Sequence, residues 1–166
     1  MGVISEDEVE QTTLGWLGEL GFEVKLGEVL SPGGYEQDRE GYEVVILKER
    51  FLAVASRLNP KVPPDALERA FHLLSNPDEP DQVLANKAVY RMVVNGVKVD
   101  YAEGGEQKSA IVRIVDFSDP SQNDWLAVNQ FTIKGPVKTH RPDILIFLNG
   151  IPLGLFELKN PALENA

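Results

Sequence analysis

Arg141-Pro142-Asp143-Ile144-Leu145-Ile146-Phe147-Leu148-Asn149-Gly150-Ile151-Pro152-Leu153-Gly154-Leu155-Phe156-Glu157-Leu158-Lys159 is the stretch on which the reading of this chain turns. Two apolar runs, Ile144 to Leu148 and Leu153 to Phe156, flank Asn149-Gly150, and that pattern predicts two antiparallel strands joined by a tight turn. Apart from Asp143, Glu157 and Lys159 both faces of both runs are apolar, so the ribbon is expected in the interior of a sheet. A two-residue loop would pair Leu148 with Ile151 and set Asp143 against Phe156, on the face opposite Glu157. A three-residue loop would pair Leu148 with Pro152 and set Asp143 against Glu157, with Cβ atoms about 5 Å apart. Pro152 has no N–H to give to a regular pair, which favours an odd-length loop or an equivalent bulge, and hence Asp143 facing Glu157. Glu157 and Lys159 share a face in either register.

Two carboxylates and an ammonium at one end of an apolar ribbon must be paired or bind a metal, because uncompensated buried charge is costly. One reading is structural, an Asp-Lys ion pair closing the hairpin. The other is a hard-cation site in which Asp143 and Glu157 hold Mg2+, an ion usually bound through one or two carboxylates while it keeps several waters. A metal there would acidify a bound water and polarise a phosphoryl oxygen, and Lys159 would position the water or offset charge in the transition state. Asp143, Glu157 and Lys159 are therefore the candidate catalytic residues, and the chemistry they point to is phosphodiester hydrolysis.

Pro142-Asp143 followed by Glu157-Leu158-Lys159 resembles the PD-(D/E)xK nuclease signature. Its neighbours sharpen the likeness. Asn123-Asp124-Trp125, Asn129-Gln130-Phe131-Thr132, Arg141-Pro142-Asp143, Phe147 to Leu153 and Glu157-Leu158-Lys159-Asn160-Pro161 together resemble the amino-terminal nuclease domain of the restriction (R, or HsdR-type) subunit of type I restriction enzymes. The likeness reaches back through Leu58-Asn59-Pro60 and Asn95-Gly96-Val97 to the opening helix, and so covers nearly the whole chain. It implies a PD-(D/E)xK restriction-endonuclease-like core, a mixed sheet flanked by helices, and Mg2+-dependent cleavage of double-stranded DNA. The metal ligands expected are Asp143, Glu157 and the main-chain carbonyl of Leu158, with an acid from the first helix beside them. Glu10 is the match chosen for that acid and Glu6, one turn earlier, the alternative; a solvated acid at a helix amino end is an equally open reading of either.

The resemblance also implies ATP-driven DNA-translocating motor domains later in the intact subunit, and modification and specificity subunits as partners. No Gly-x-x-x-x-Gly-Lys-[Ser/Thr] phosphate loop occurs here, so ATP belongs to those later domains. Family members carry a Gln-x-x-x-Tyr motif downstream of the Lys, which this chain does not reach. Two other readings stay open: a non-catalytic docking module of the restriction complex, and a repair or recombination nuclease of the same superfamily.

The 166 residues fit one domain, able to bury about two-thirds or more of its unfolded surface. There is no cysteine, which removes disulfides and thiolate metal sites and suits a reducing cytoplasm, a prokaryotic one as the resemblance implies. No apolar run approaches the ~18 residues a spanning helix needs, and Met1 to Glu6 lacks an export pattern, so no membrane partner is expected. The formal charge of −10 argues against this piece gripping nucleic acid alone. Lys134, Lys138, His140, Arg141 and Lys159 nevertheless cluster around the proposed site, as expected of a module delivered to DNA by a larger assembly. After Lys159 only Asn160 to Ala166 remain, and the chain reads as a fragment of a longer subunit.

Ser5 and Glu8 form a capping-box pattern, and Val9, Trp16, Leu17 and Leu20 recur at helical spacing up to Gly21, predicting a helix over about 5–20. Phe22-Glu23-Val24 reads as a short strand and Ser31 to Gly34 as a loop. Helices are expected over 42–58, over about 63–75 behind Pro63-Pro64, and from Asp81 to Val94, closed by Asn95-Gly96. They make an inserted helical block, about 42–95, with His72 given no catalytic role. From Val97 the period changes to two, and strands are expected at 97–101, 110–117, 125–133, 144–148 and 153–158, with a turn at Glu103 to Glu106. Helices followed by a mostly antiparallel catalytic sheet, about 97–159, read as α+β or a mixed α/β layered fold. Gln130 is read as a strand amide satisfying backbone groups, and His140 and Arg141 as loop cations within reach of phosphate.

Overall fold

Ser5 opens the first helix with a reciprocal cap, its hydroxyl accepting from the Glu8 N–H at 3.2 Å and the Glu8 carboxylate accepting from the Ser5 N–H at 2.8 Å. The computed structural model describes residues 5–159, so the tail read above as cut short, Asn160 to Ala166, lies outside the described residues. Chain order is α1 (Glu6–Glu19), β1 (Glu23–Leu26), α2 (Gly27–Leu30), α3 (Lys48–Leu58), α4 (Pro64–Ser75), α5 (Gln82–Asn95), β2 (Val97–Glu103), β3 (Glu106–Val112), β4 (Trp125–Asn129), β5 (Ile133–Lys134), β6 (Thr139–His140), β7 (Ile144–Leu148) and β8 (Ile151–Phe156). These fall into two compact units, one made of the residues up to Leu47 and from Trp125 onward, the other running from Lys48 to Asp124. No described helix is long and apolar enough to cross a membrane.

The first unit is built on a four-stranded sheet in the order β1-β4-β7-β8, with β1 parallel to β4 and the other pairs antiparallel. Strand alternation divides its core in two. Ala127 and Ile144 face α1 and pack with Leu14, flanked by Leu17, Phe22 and Ile146. Leu126, Val128, Leu145 and Phe147 point the other way, onto Leu30 of α2, Leu47 and Phe131. This is a mixed sheet between helical layers, the restriction-endonuclease-like core expected from the sequence.

The turn joining β7 to β8 has two residues, Asn149 and Gly150, with φ of 54° and 76°, the doubly positive geometry that matches strand twist. Leu148 pairs with Ile151 and Phe147 with Pro152; then Leu153 is passed over, and Ile146 pairs with Gly154, Leu145 with Leu155 and Ile144 with Phe156. A bulge thus does what a longer loop was expected to do. The bulge restores the register that an odd-length loop would give, and the ladder carries it as far as Ile144 opposite Phe156, the residues next to Asp143 and Glu157. Pro152 is tolerated because the pair next to a two-residue turn's closing pair exchanges no ladder hydrogen bonds, so its missing N–H faces out from an edge strand. Burial on both faces is corrected for the return leg: Leu153, Leu155 and Phe156 are 53%, 61% and 39% exposed, because among the described residues β8 has a neighbour on one side only.

In the second unit the inserted block is larger than the 42–95 expected. The helix predicted from Tyr42 begins at Lys48; ahead of it the Leu47 N–H is donated to the Gly150 carbonyl (2.9 Å) and the Tyr42 carbonyl accepts from the Lys134 N–H (2.9 Å), so that backbone is satisfied outside a helix. Among the described residues β2 and β3, expected to open the catalytic sheet, pair only with each other, and they stay with the block. Their alternate residues Val97, Val99 and Tyr101 are buried, and β2 packs against α4. The strand predicted to reach Phe117 stops at Val112. The Asn59 side chain takes both main-chain groups of Arg113, accepting from its N–H at 2.9 Å and donating to its carbonyl at 2.7 Å, in place of a strand partner.

Candidate active site

The strand expected over 125–133 ends at Asn129, because Gln130 has a φ of 52° and turns the chain out of the sheet. Asn129 is on the α1 side of β4, two residues from Ala127, and donates from Nδ2 to Glu10 Oε1 at 2.9 Å. Gln130 approaches the same acid from beyond the strand end, its Nε2 donating to Glu10 Oε2 at 2.8 Å and to Asp143 Oδ1 at 3.4 Å. Its main-chain N–H is also donated to the Asp143 carbonyl, at 2.9 Å. Glu10 is 8% exposed, so of the two candidates in α1 it is the one carried into the interior, while Glu6, one turn earlier, is exposed. Asp143 is half-buried and reaches the return leg as well, its Oδ2 accepting from the Leu158 N–H at 2.6 Å.

Of the residues singled out by sequence, Glu10, Asp143 and Leu158 are therefore linked into one hydrogen-bonded group. Glu157 and Lys159 flank Leu158, past the end of β8, and both are exposed. Among the described residues no three His, Asp or Glu side chains gather closely enough to form a metal cage. The donor chemistry still fits a hard cation: two carboxylates are drawn to one amide N–H2 group, a partial positive charge standing between acids, and Mg2+ is ordinarily held by one or two carboxylates and water. A second sign of unfilled demand lies alongside, since Asn129 is 7% exposed and its Oδ1 has no hydrogen-bond partner.

The segment behind the site is held by Arg39, which is 3% exposed. Its guanidinium lies 3.8 Å from the Phe131 ring centroid, donates to the Thr132 carbonyl at 2.7 Å and to Ser31 Oγ at 3.1 Å. Burial pulls its pKa below the ordinary arginine value, while Tyr42 and Glu43 pull it back up. A cleft of about 310 Å³ is lined by both of the amide residues, Asn129 and Gln130, with Tyr42, Thr132 and Arg141 among others.

With this geometry in view, the family model for the amino terminus of the type I restriction enzyme R protein matches residues 3–166. The chain belongs to this family. It is 35% identical over 162 residues to the putative type I restriction enzyme MjaIXP endonuclease subunit of Methanocaldococcus jannaschii, covering 95% of this chain and 15% of that protein. It is 36% identical over 165 residues to the type I restriction enzyme HindI endonuclease subunit of Haemophilus influenzae, covering 99% of this chain and 16% of that protein. The chain thus spans about a sixth of the length of these relatives and corresponds to the amino-terminal domain of a type I restriction endonuclease subunit.

Within this R-protein domain, sequence reasoning missed Asn129 and Arg39 and gave Gln130 the wrong partners. The Gln130 side chain meets two carboxylates, whereas backbone groups at a sheet edge were expected. The signal that could have found it is the pair Asn129-Gln130 at a strand end, two amides that an apolar strand would not carry without something polar to hold. Arg39 gave no such signal, since nothing in a loop sequence tells a buried cation from a solvated one.

Proposed function

We propose that this R-protein domain is the Mg2+-dependent endonuclease of its restriction subunit and cuts double-stranded DNA phosphodiester bonds. The observation that carries the proposal is the linkage through Asp143: one carboxylate oxygen is tied to Glu10 by the shared Gln130 amide, and the other accepts from the main chain between Glu157 and Lys159. That linkage draws an acid from α1, the acid before β7 and the acid-x-lysine segment after β8 to one end of the sheet. Glu10, Asp143, Glu157 and the Leu158 carbonyl would hold the ion, in the manner of the PD-(D/E)xK signature. Once bound, Mg2+ supplies acidification of water and polarisation of the phosphoryl oxygen.

The chain's own groups do the rest. Asp143 fixes the segment that carries Lys159 by accepting the Leu158 N–H, and an ammonium there can donate to the attacking water or to a phosphate oxygen that gains charge as the bond breaks. Arg141, on the wall of the cleft, supplies a second cation for the DNA backbone. With a formal charge of −10, the domain is delivered to DNA by motor domains that use ATP elsewhere in the subunit and by modification and specificity partners.

Plasmid nicking by the whole restriction subunit in Mg2+ tests this. Asp143→Ala and Lys159→Ala are each expected to lower the cleavage rate by on the order of 10² or more, the scale seen when one group stabilising transition-state charge is removed. Undiminished cleavage by either variant, with ATP hydrolysis intact, would take these residues out of catalysis and leave the domain a docking role.

A further inference from the structure

We propose that Gln130 is itself part of the cation site: its amide nitrogen holds Glu10 and Asp143 together when the ion is absent, and its amide oxygen becomes a ligand when the ion binds. This rests on the cation site proposed above. The first observation is the double donation from one nitrogen, at 2.8 Å to Glu10 and 3.4 Å to Asp143. A neutral amide can serve both states, because a half-turn about its last bond exchanges a two-proton donor for an acceptor at the same position. Oxygen from Asn or Gln amides is an ordinary ligand for hard divalent cations.

The second observation is independent of Gln130. Asn129 holds Glu10 through Nδ2 at 2.9 Å while its own Oδ1, buried, has no donor. Turning that amide over would not cure the deficit, since it would set Oδ1 against the Glu10 carboxylate oxygen. A buried acceptor left in this way beside a carboxylate calls for a positive or donating group, which an ion or its water provides.

The backbone leaves Gln130 free to turn only its side chain. Its N–H is fixed on the Asp143 carbonyl, and its own carbonyl abuts Gly27, where an added Cβ would lie 2.5 Å from it. The end of the side chain can therefore exchange its atoms without moving the acids it serves.

The test is titration calorimetry with Mn2+ on the 166-residue chain, alongside thermal melting without metal, for the wild type, Gln130→Glu and Gln130→Leu. Both variants lose the amide nitrogen, so both should melt lower than wild type in the absence of metal. Their Mn2+ affinities should move in opposite directions, Glu binding more tightly and Leu more weakly, each by on the order of tenfold. A merely structural glutamine would weaken binding in both variants or leave it unchanged, and either result overturns the proposal. Failure of the wild type to bind Mn2+ would remove the cation site altogether and this ligand with it.

Discussion

At Gly27 an added Cβ would lie 2.5 Å from the Gln130 carbonyl oxygen and 2.7 Å from that of Asn129, and both are main-chain atoms that cannot swing aside. These two residues carry the amides that hold Glu10, so a methyl group at Gly27 pushes on the site through its backbone. Gly27→Ala should destabilise the chain by about 1–3 kcal/mol, the range for overpacking a close contact. Chemical denaturation measures that loss. Mn2+ titration of the folded fraction should show weaker binding as well, because the Asn129-Gln130 segment must move away from α2. A variant that keeps wild-type stability would mean that α2 does not press on this segment.

At the level of the element, α1 matters because it delivers Glu10, and its first turn is set by the Ser5 and Glu8 cap. Accepting from the Ser5 N–H and hydroxyl holds the Glu8 carboxyl below its usual pKa. A carboxyl depressed in the folded state stabilises it above the unfolded value, and that contribution disappears as the pH falls through the folded one. The melting-temperature gap between wild type and Glu8→Ala should therefore be open at neutral pH and close as the pH drops below the ordinary glutamate value of about 4.3. A gap that stays constant over the titration would show that the charged cap contributes nothing. This helix was legible in the sequence because caps and periodicity are local, and β7 and the Asn-Gly turn were legible for the same reason. The break at Gln130 was not, since an amide in an apolar run does not announce a positive φ. Nor was the pairing of β2 with β3 in a sheet apart from β4, because alternation tells which face a residue takes but not which strand it joins.

For the molecule as a whole, the candidate site draws only on residues outside 48–124. Glu10, Asn129, Gln130, Asp143 and the segment from Glu157 to Lys159 all belong to the unit that holds the four-stranded sheet. The intervening unit closes on itself near both its ends, where Arg50 Nη1 meets both carboxylate oxygens of Asp124, at 3.0 and 2.8 Å. An excursion whose two ends are held together resembles the insertions that a host fold tolerates. Replacing residues 48–124 by a short Gly-Ser linker between Leu47 and Trp125 should therefore leave a chain that unfolds in one cooperative step. Its denaturant m-value should be lower by roughly half, since the slope follows the surface exposed on unfolding. Mn2+ affinity should survive the excision, because neither the two acids nor the two amides are removed. A non-cooperative melt would show that the sheet depends on the inserted unit for its core. A cooperative melt with no Mn2+ binding would show instead that the inserted unit, and not only the sheet, completes the site.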